Sequence, residues 1–172
     1  MTVSAKRFEL QLQKLKVLVV DDNAFTRKIV RSLLGTLGVK TIFEAADGIA
    51  ALQMIKQQLP DIVILDWEMP LLNGPELVRI VRSPGVFPTP DIPIIMLSAH
   101  GERWRVVESV RLGVNEFLCK PISAKALLER IVSILLKPRG SVQVGAYYGP
   151  VPRAPKAIEK ALPVGENEPF EL

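Results

Sequence analysis

From Lys16 onward, short runs of consecutive apolar residues alternate with longer stretches in which apolar residues recur every third or fourth position. Val17 to Val20 is wholly apolar, mostly β-branched, and ends at Asp21-Asp22. Such a run predicts a strand buried on both faces. Ala24 to Leu37 follows with Phe25, Ile29, Val30, Leu33, Leu34 and Leu37 along one stripe, which predicts a first helix. Asp22 or Asn23 can cap its start, and Gly38 stops it. The alternation continues with strands at Thr41 to Phe43, Ile62 to Leu65, Ile94 to Leu97 and Glu116 to Leu118. Helices are predicted at Gly48 to Gln58, Gly74 to Arg82, Glu102 to Leu112 and Ser123 to Leu136. Five strands alternating with five helices point to an α/β fold, with a parallel sheet covered on both sides.

Three stretches stand outside this rhythm. Residues 1–14 alternate charge with isolated apolar residues and read as an N-terminal arm, without the continuous apolar core of a secretory signal. Ser83 to Pro93 carries four prolines and reads as a loop. Residues 138–172 are rich in Pro and Gly and read as an irregular tail, too poor in apolar residues for a DNA-binding output domain. Part of it, especially Val142 to Tyr148, can lie against the domain.

Composition narrows the function classes. Of 172 residues, 48% are hydrophobic and 23% charged, as in a folded globular protein. No apolar run approaches the roughly 18 residues that cross a bilayer, so no membrane is expected. The lone Cys119 excludes an internal disulfide and suits a reducing compartment, hence a cytoplasmic location. A formal net charge of +4 does not point to nucleic acid. The cations Lys14, Lys16, Arg27, Lys28, Arg31, Arg103, Arg105 and Arg111 are scattered and read as solvated faces.

Chemistry collects where a parallel sheet usually places it, beyond the carboxyl ends of the strands. Those positions hold Asp21 and Asp22, Asp66, Ser98 and Lys120. Each has a plainer reading: Asp21-Asp22 as a helix cap, Asp66 as a turn acid, Lys120-Pro121 as an ordinary loop. Together they place three carboxylates, a hydroxyl and an amine in one crevice. Crowded carboxylates repel, and a divalent cation with all-oxygen ligands, Mg2+, resolves the repulsion.

The segments VLVVDDN, VILDWEMPLLNG, IIMLSAH and FLCKP, in this order, resemble the signature blocks of response-regulator receiver domains of the single-domain, chemotaxis type. The resemblance covers about Lys16 to Leu136 and puts the receiver domain at 15–137. It implies a flavodoxin-like five-stranded sheet in the order 2-1-3-4-5. It implies that Asp66 is the phosphoacceptor, that Asp22, Asp66 and the backbone carbonyl of Glu68 bind Mg2+ directly, and that Asp21 holds it through water. Ser98 and Lys120 would bind the phosphoryl oxygens, Phe117 would be the switch aromatic, and the Lys120–Pro121 bond would be cis. Glu68 and His100 would flank the phosphoryl group and set how fast water removes it; a Glu68–His100 pair predicts slow loss.

Two departures carry consequences. The family often has Thr where Ser98 stands, and Ser lacks the methyl that limits rotamers. Phe117 often is Tyr, so a switch here works by packing rather than by a hydroxyl. On the fourth helix Val106, Val107 and Val110 are expected to face the core, leaving Trp104 to the side. On the fifth, Val132 and Leu136 lie off the buried face. With strand five these residues mark a candidate output or homodimer surface, unless the tail covers it. The resemblance implies a sensor histidine kinase or a histidine phosphotransfer protein as phosphodonor, a downstream protein target, and no enzymatic turnover beyond self-phosphorylation and dephosphorylation. A phosphorelay intermediate or phosphate sink uses the same residues. A phosphatase of the haloacid-dehalogenase type also uses an Asp nucleophile with Mg2+, but places it after the first strand as Asp-x-Asp, where this chain has adjacent Asp21-Asp22.

Overall fold

The structure, a computed structural model, describes residues 2–153. In chain order the elements are α1 (Val3–Lys14), β1 (Lys16–Val20), α2 (Ala24–Leu37), β2 (Thr41–Ala45), α3 (Gly48–Gln58), β3 (Ile62–Asp66) and α4 (Gly74–Val81). They continue with β4 (Ile94–Ser98), α5 (Arg103–Leu112), β5 (Glu116–Cys119), α6 (Ala124–Leu136), β6 (Ser141–Val144) and β7 (Tyr147–Pro150). The first five strands form one parallel sheet in the order β2-β1-β3-β4-β5. No helix among the described residues is long and apolar enough to cross a membrane.

Two apolar layers sandwich the sheet, and alternate strand residues feed them in turn. Leu18, Val20, Val63, Leu65, Ile94 and Met96 pack under α3 and α4. Val17, Val19, Ile62, Ile64, Ile95 and Leu97 pack under α2 and α6. The continuous apolar runs in the sequence have this origin: central strands offer no face to water.

The structure departs from the expected elements in four places. Residues 3–14 form a helix, capped by the Thr2 side chain, rather than an arm. Phe8, Leu12 and Leu15, spaced by four and three, lie against the α2 and α6 layer. On α2 the core takes Val30 and Leu34, whereas Phe25 and Ile29 are exposed. At 100° per residue they stand about 140° and 100° from Val30, beyond a single buried stripe. On α5 the buried face is not the expected one: Ser109 and Leu112 are buried, Val107 and Val110 are half-buried, and Val106 is exposed. Leu112 packs into the apolar layer under α3 and α4, and buried Ser109 satisfies its hydroxyl by donating to the Val106 carbonyl. Finally, the tail contains an antiparallel hairpin, β6 with β7; its remainder beyond residue 153 lies outside the described residues.

The hairpin is tied to the domain at the end of the sheet opposite Asp66. Tyr147 is buried, Arg139 donates to the backbone carbonyls of Asn115 and Val151, and the Tyr148 hydroxyl donates to Asp91. Gly113 makes this approach possible, with φ of +89° and a Cβ position that would meet the Tyr148 carbonyl oxygen at 2.5 Å. Gly113→Ala combines left-handed strain with a backbone clash, and is expected to lower stability by about 2 kcal/mol. Thermal unfolding checks this; an unchanged midpoint would show that hairpin and turn separate without cost.

Candidate functional site

Register brings the polar residues together. Val20 lies beside Leu65 and Ala45, so the next residue, Asp21, emerges level with Asp66 at the carboxyl edge of β3. Asp66 pairs with Leu97, and Ser98 with Cys119, so Ser98 and Lys120 leave neighbouring strands one step further on. The helix-capping alternative for the acidic pair is not used: the Asn23 side chain caps α2, accepting from the Phe25 and Thr26 amides. Asp21 and Asp22 are thereby left for the crevice. Gly74 begins α4 directly beneath the site, where a Cβ would lie 2.5 Å from the Asp66 carbonyl oxygen.

Lys120 is the centre of the charge arrangement. Its Nζ stands 3.0 Å from Asp21 Oδ2 and 3.0 Å from Asp66 Oδ1. Asp21 is buried, and its other oxygen accepts from the Asn23 amide at 2.9 Å. Asp21, Asp22 and Asp66 each present a carboxylate oxygen within 4.8 Å of the others. With one ammonium against three acids, the cluster keeps excess negative charge. Burial first, and then repulsion from Asp21 and Asp22, push the Asp66 carboxyl up to about 6, although Lys120 works the other way. Burial opposes the Lys120 charge, but its contacts with Asp21 and Asp66 outweigh that and raise its pKa. A close set of all-oxygen donors with surplus charge fits a hard divalent cation such as Mg2+.

The Lys120–Pro121 bond is cis. Ser98 is fully buried. Phe117 is half-buried, its ring edge-on to Trp67 at 6.5 Å between centroids. His100 Nε2 lies 3.9 Å from Glu68 Oε1, and its Nδ1 lies 3.6 Å from Glu102. The main partner of Glu68 is instead Arg105, whose Nη2 donates at 2.8 Å and holds the Glu68 carboxyl below the usual range.

Arg105 does not sit on the solvated face expected of it. Its side chain is 12% exposed and lies against the rings of Trp67 and Trp104. A flat, weakly hydrated guanidinium stacks readily on aromatic faces; here Nη1 and Nη2 are hydrogen-bonded, while Nε is buried without a partner among the described residues. Two indoles and a guanidinium thus wall one side of the crevice. The only sequence signal for them is Trp67 directly after Asp66, with Arg105 near the start of the helix that follows Ser98.

Trp104 and Leu136 are exposed and Val132 is half-buried. The hairpin covers only one end of this face. A groove of about 470 Å³ remains, lined by Val106, Val110, Phe117, Cys119 and Arg130.

Comparison with known proteins agrees with this architecture. The family model of the response regulator receiver domain matches residues 17–132. The chain is 35% identical over 122 residues to chemotaxis protein CheY-3 of Vibrio cholerae, covering 71% of this chain and 92% of that one. It is 35% identical over 126 residues to chemotaxis protein CheY of Pseudomonas aeruginosa, covering 73% of this chain and 100% of that one. Among solved structures, Vibrio cholerae CheY4 superposes with a TM-score of 0.63 at 31% identity, covering 70% of this chain and 98% of that one. A chain of the CheX–CheY–BeF3–Mg2+ complex of Borrelia burgdorferi superposes with a TM-score of 0.64 at 30% identity, covering 70% and 88%.

Proposed function

Because the chain belongs to the response regulator receiver family, we propose that Asp66 accepts a phosphoryl group from a histidine kinase or a histidine phosphotransfer protein. The acyl phosphate then changes which proteins the chain contacts. The observation that carries this reading is Lys120 Nζ placed 3.0 Å from both Asp21 and Asp66, in a crevice of three converging carboxylates.

In the transfer, an Asp66 carboxylate oxygen forms the new P–O bond as the P–N bond to the donor imidazole breaks and the imidazole leaves. Asp21, Asp22, Asp66 and the backbone carbonyl of Glu68 are the groups that would hold Mg2+. Bound there, Mg2+ relieves the carboxylate repulsion and lends positive charge to the phosphoryl oxygens. Lys120 balances the added negative charge, and the Ser98 hydroxyl donates to a phosphoryl oxygen. Movement of Ser98 leaves room behind it for Phe117, whose ring changes the groove over β5. Relatives supply support of the same kind: a CheY-type neighbour has a structure described with BeF3 and Mg2+.

The half-exposed Trp104 and the open groove favour a signalling role over a phosphate sink, because they offer a contact surface next to the site. The protein's place of action is then the cytoplasm, where such donors reside. Incubation with phosphoramidate and Mg2+ is expected to add the mass of one phosphoryl group to the intact protein, and chelation of Mg2+ to prevent it. Absence of any adduct in wild type would overturn the reading.

The exposed side chains of Glu68 and His100 screen the approach of water to Asp66. His100→Ala is expected to shorten the acyl-phosphate lifetime about 3–10-fold, the effect of a barrier change near 1 kcal/mol. Following the phosphorylated mass with time tests this, and an unchanged lifetime rejects the screening role.

A further inference from the structure

Arg105 has no part in the mechanism above, yet its surroundings are the most elaborate of any side chain near the site. Its guanidinium carbon lies 5.0 Å from the Trp67 ring centre and 5.1 Å from that of Trp104. The two indoles meet edge-on, 6.0 Å apart at 87°. One end of the fork, Nη2, donates to Glu68 Oε1 at 2.8 Å. The other, Nη1, donates to Ser98 Oγ at 3.2 Å. The backbone N–H of His100 donates to that same oxygen at 3.1 Å.

A serine hydroxyl has two acceptor lone pairs and one proton. Here two N–H donors occupy the acceptor side of Ser98 Oγ, so its proton must point away from both. Rotation about Cα–Cβ would break both bonds inside a fully buried position. Threonine restricts the same rotation with its methyl group, which serine lacks. A planar guanidinium clamped by a carboxylate and two rings is a rigid donor, and a lysine ammonium could not span the same two acceptors.

We propose that Arg105 is a positioning residue that aims the Ser98 hydroxyl at the phosphoryl group on Asp66, supplying by hydrogen bonding the restraint that threonine supplies by packing. The inference rests on the receiver reading given above. It also gives the site a second route outward. Displacement of Ser98 toward the phosphoryl oxygens strains its bond to a guanidinium wedged against Trp104, which is half-exposed on α5.

The test is a double-mutant cycle on beryllofluoride, which stands in for the phosphoryl group, with affinity measured calorimetrically in saturating Mg2+. Arg105→Gln is expected to weaken beryllofluoride binding about tenfold, as loss of one charge-assisted hydrogen bond to the switch hydroxyl. In a Ser98→Thr background the same change is expected to cost less than about twofold. Arg105→Lys keeps the charge without the fork, so it should behave like Arg105→Gln; it carries the test if Gln loosens the indole stack. Mg2+ affinity without beryllofluoride should not move in any variant. Equal losses with serine and in the Ser98→Thr background would overturn the aiming role, as would a parallel loss of Mg2+ affinity or no loss at all. Wild type that bound no beryllofluoride would instead remove the receiver reading itself.

Discussion

Asp66→Asn is expected to abolish phosphorylation while making the metal-free protein more stable at neutral pH. The first effect is the loss of the nucleophile: an amide oxygen forms no stable P–O bond, so the adduct formed with phosphoramidate and Mg2+ should fall by about 10³-fold or more. The second follows from the environment. In the folded protein the Asp66 carboxyl is pushed up to about 6 from 3.8, burial being the largest cause. The folded state therefore holds this proton more tightly than the unfolded chain does. The stability linked to it is complete below 3.8, declines as pH rises toward about 6, and is absent above that. Asparagine removes the penalty, so the midpoint of thermal unfolding in chelator at pH 7.5 should rise by about 3–6 °C, equivalent to about 1–2 kcal/mol. The gap should shrink as pH falls below about 6 and close only below about 3.8, and Mg2+ should also narrow it by stabilising wild type. A variant less stable than wild type at every pH would show that the Lys120–Asp66 pair outweighs the desolvation. A site kept at a cost to the fold is the usual mark of function.

Arg82→Ala is expected to cause the largest loss of stability, about 3 kcal/mol or more. Arg82 is 7% exposed, and its three nitrogens each donate: Nε to the Gly113 carbonyl at 2.9 Å, Nη1 to the Pro90 carbonyl at 2.6 Å and Nη2 to Asn115 Oδ1 at 2.9 Å. Asn115 Oδ1 also receives the Ile94 amide at 3.0 Å. One side chain thus joins the end of α4, the Ser83–Pro93 loop, the α5–β5 turn and the start of β4. Alanine leaves two carbonyls without their donor and opens a cavity, and each buried unsatisfied group costs about 1–3 kcal/mol. The unfolding midpoint should fall by about 6–12 °C. Burial lowers the Arg82 pKa to about 10, so the cation persists at neutral pH. Arg82→Lys should recover little, because an ammonium cannot reach three acceptors in that geometry. A loss below about 1 kcal/mol would show that water replaces the guanidinium there.

The two cations show where reading along the chain stops. Arg82 and Arg105 differ little in sequence context from Arg79 and Arg103, which lie close by on α4 and α5 and are exposed. An arginine is a flexible stem with a flat charged end, and what it does depends on acceptors and rings contributed by distant segments. Gly113, Pro90 and Asn115 around one, and Trp67, Glu68 and Ser98 around the other, are neighbours only after folding. The α5 valines make the same point: helical spacing told that a stripe existed, but packing of Leu112 into the core layer under α3 and α4 decided which side was buried.

The chain's own pattern determined the parallel sheet and the residues at its carboxyl edge. Central strands must be apolar on both faces, and their ends must carry the polar residues that meet solvent, so both features are local and periodic. The family motifs added roles to Asp21, Asp22, Asp66, Ser98 and Lys120. Folding alone decided that α1 is a helix, that part of the tail is a hairpin closing one end of the α5–β5 face, and that Arg105 points inward to Ser98. Each of these depends on a few contacts between segments far apart in sequence, and such contacts leave no period in the chain to read.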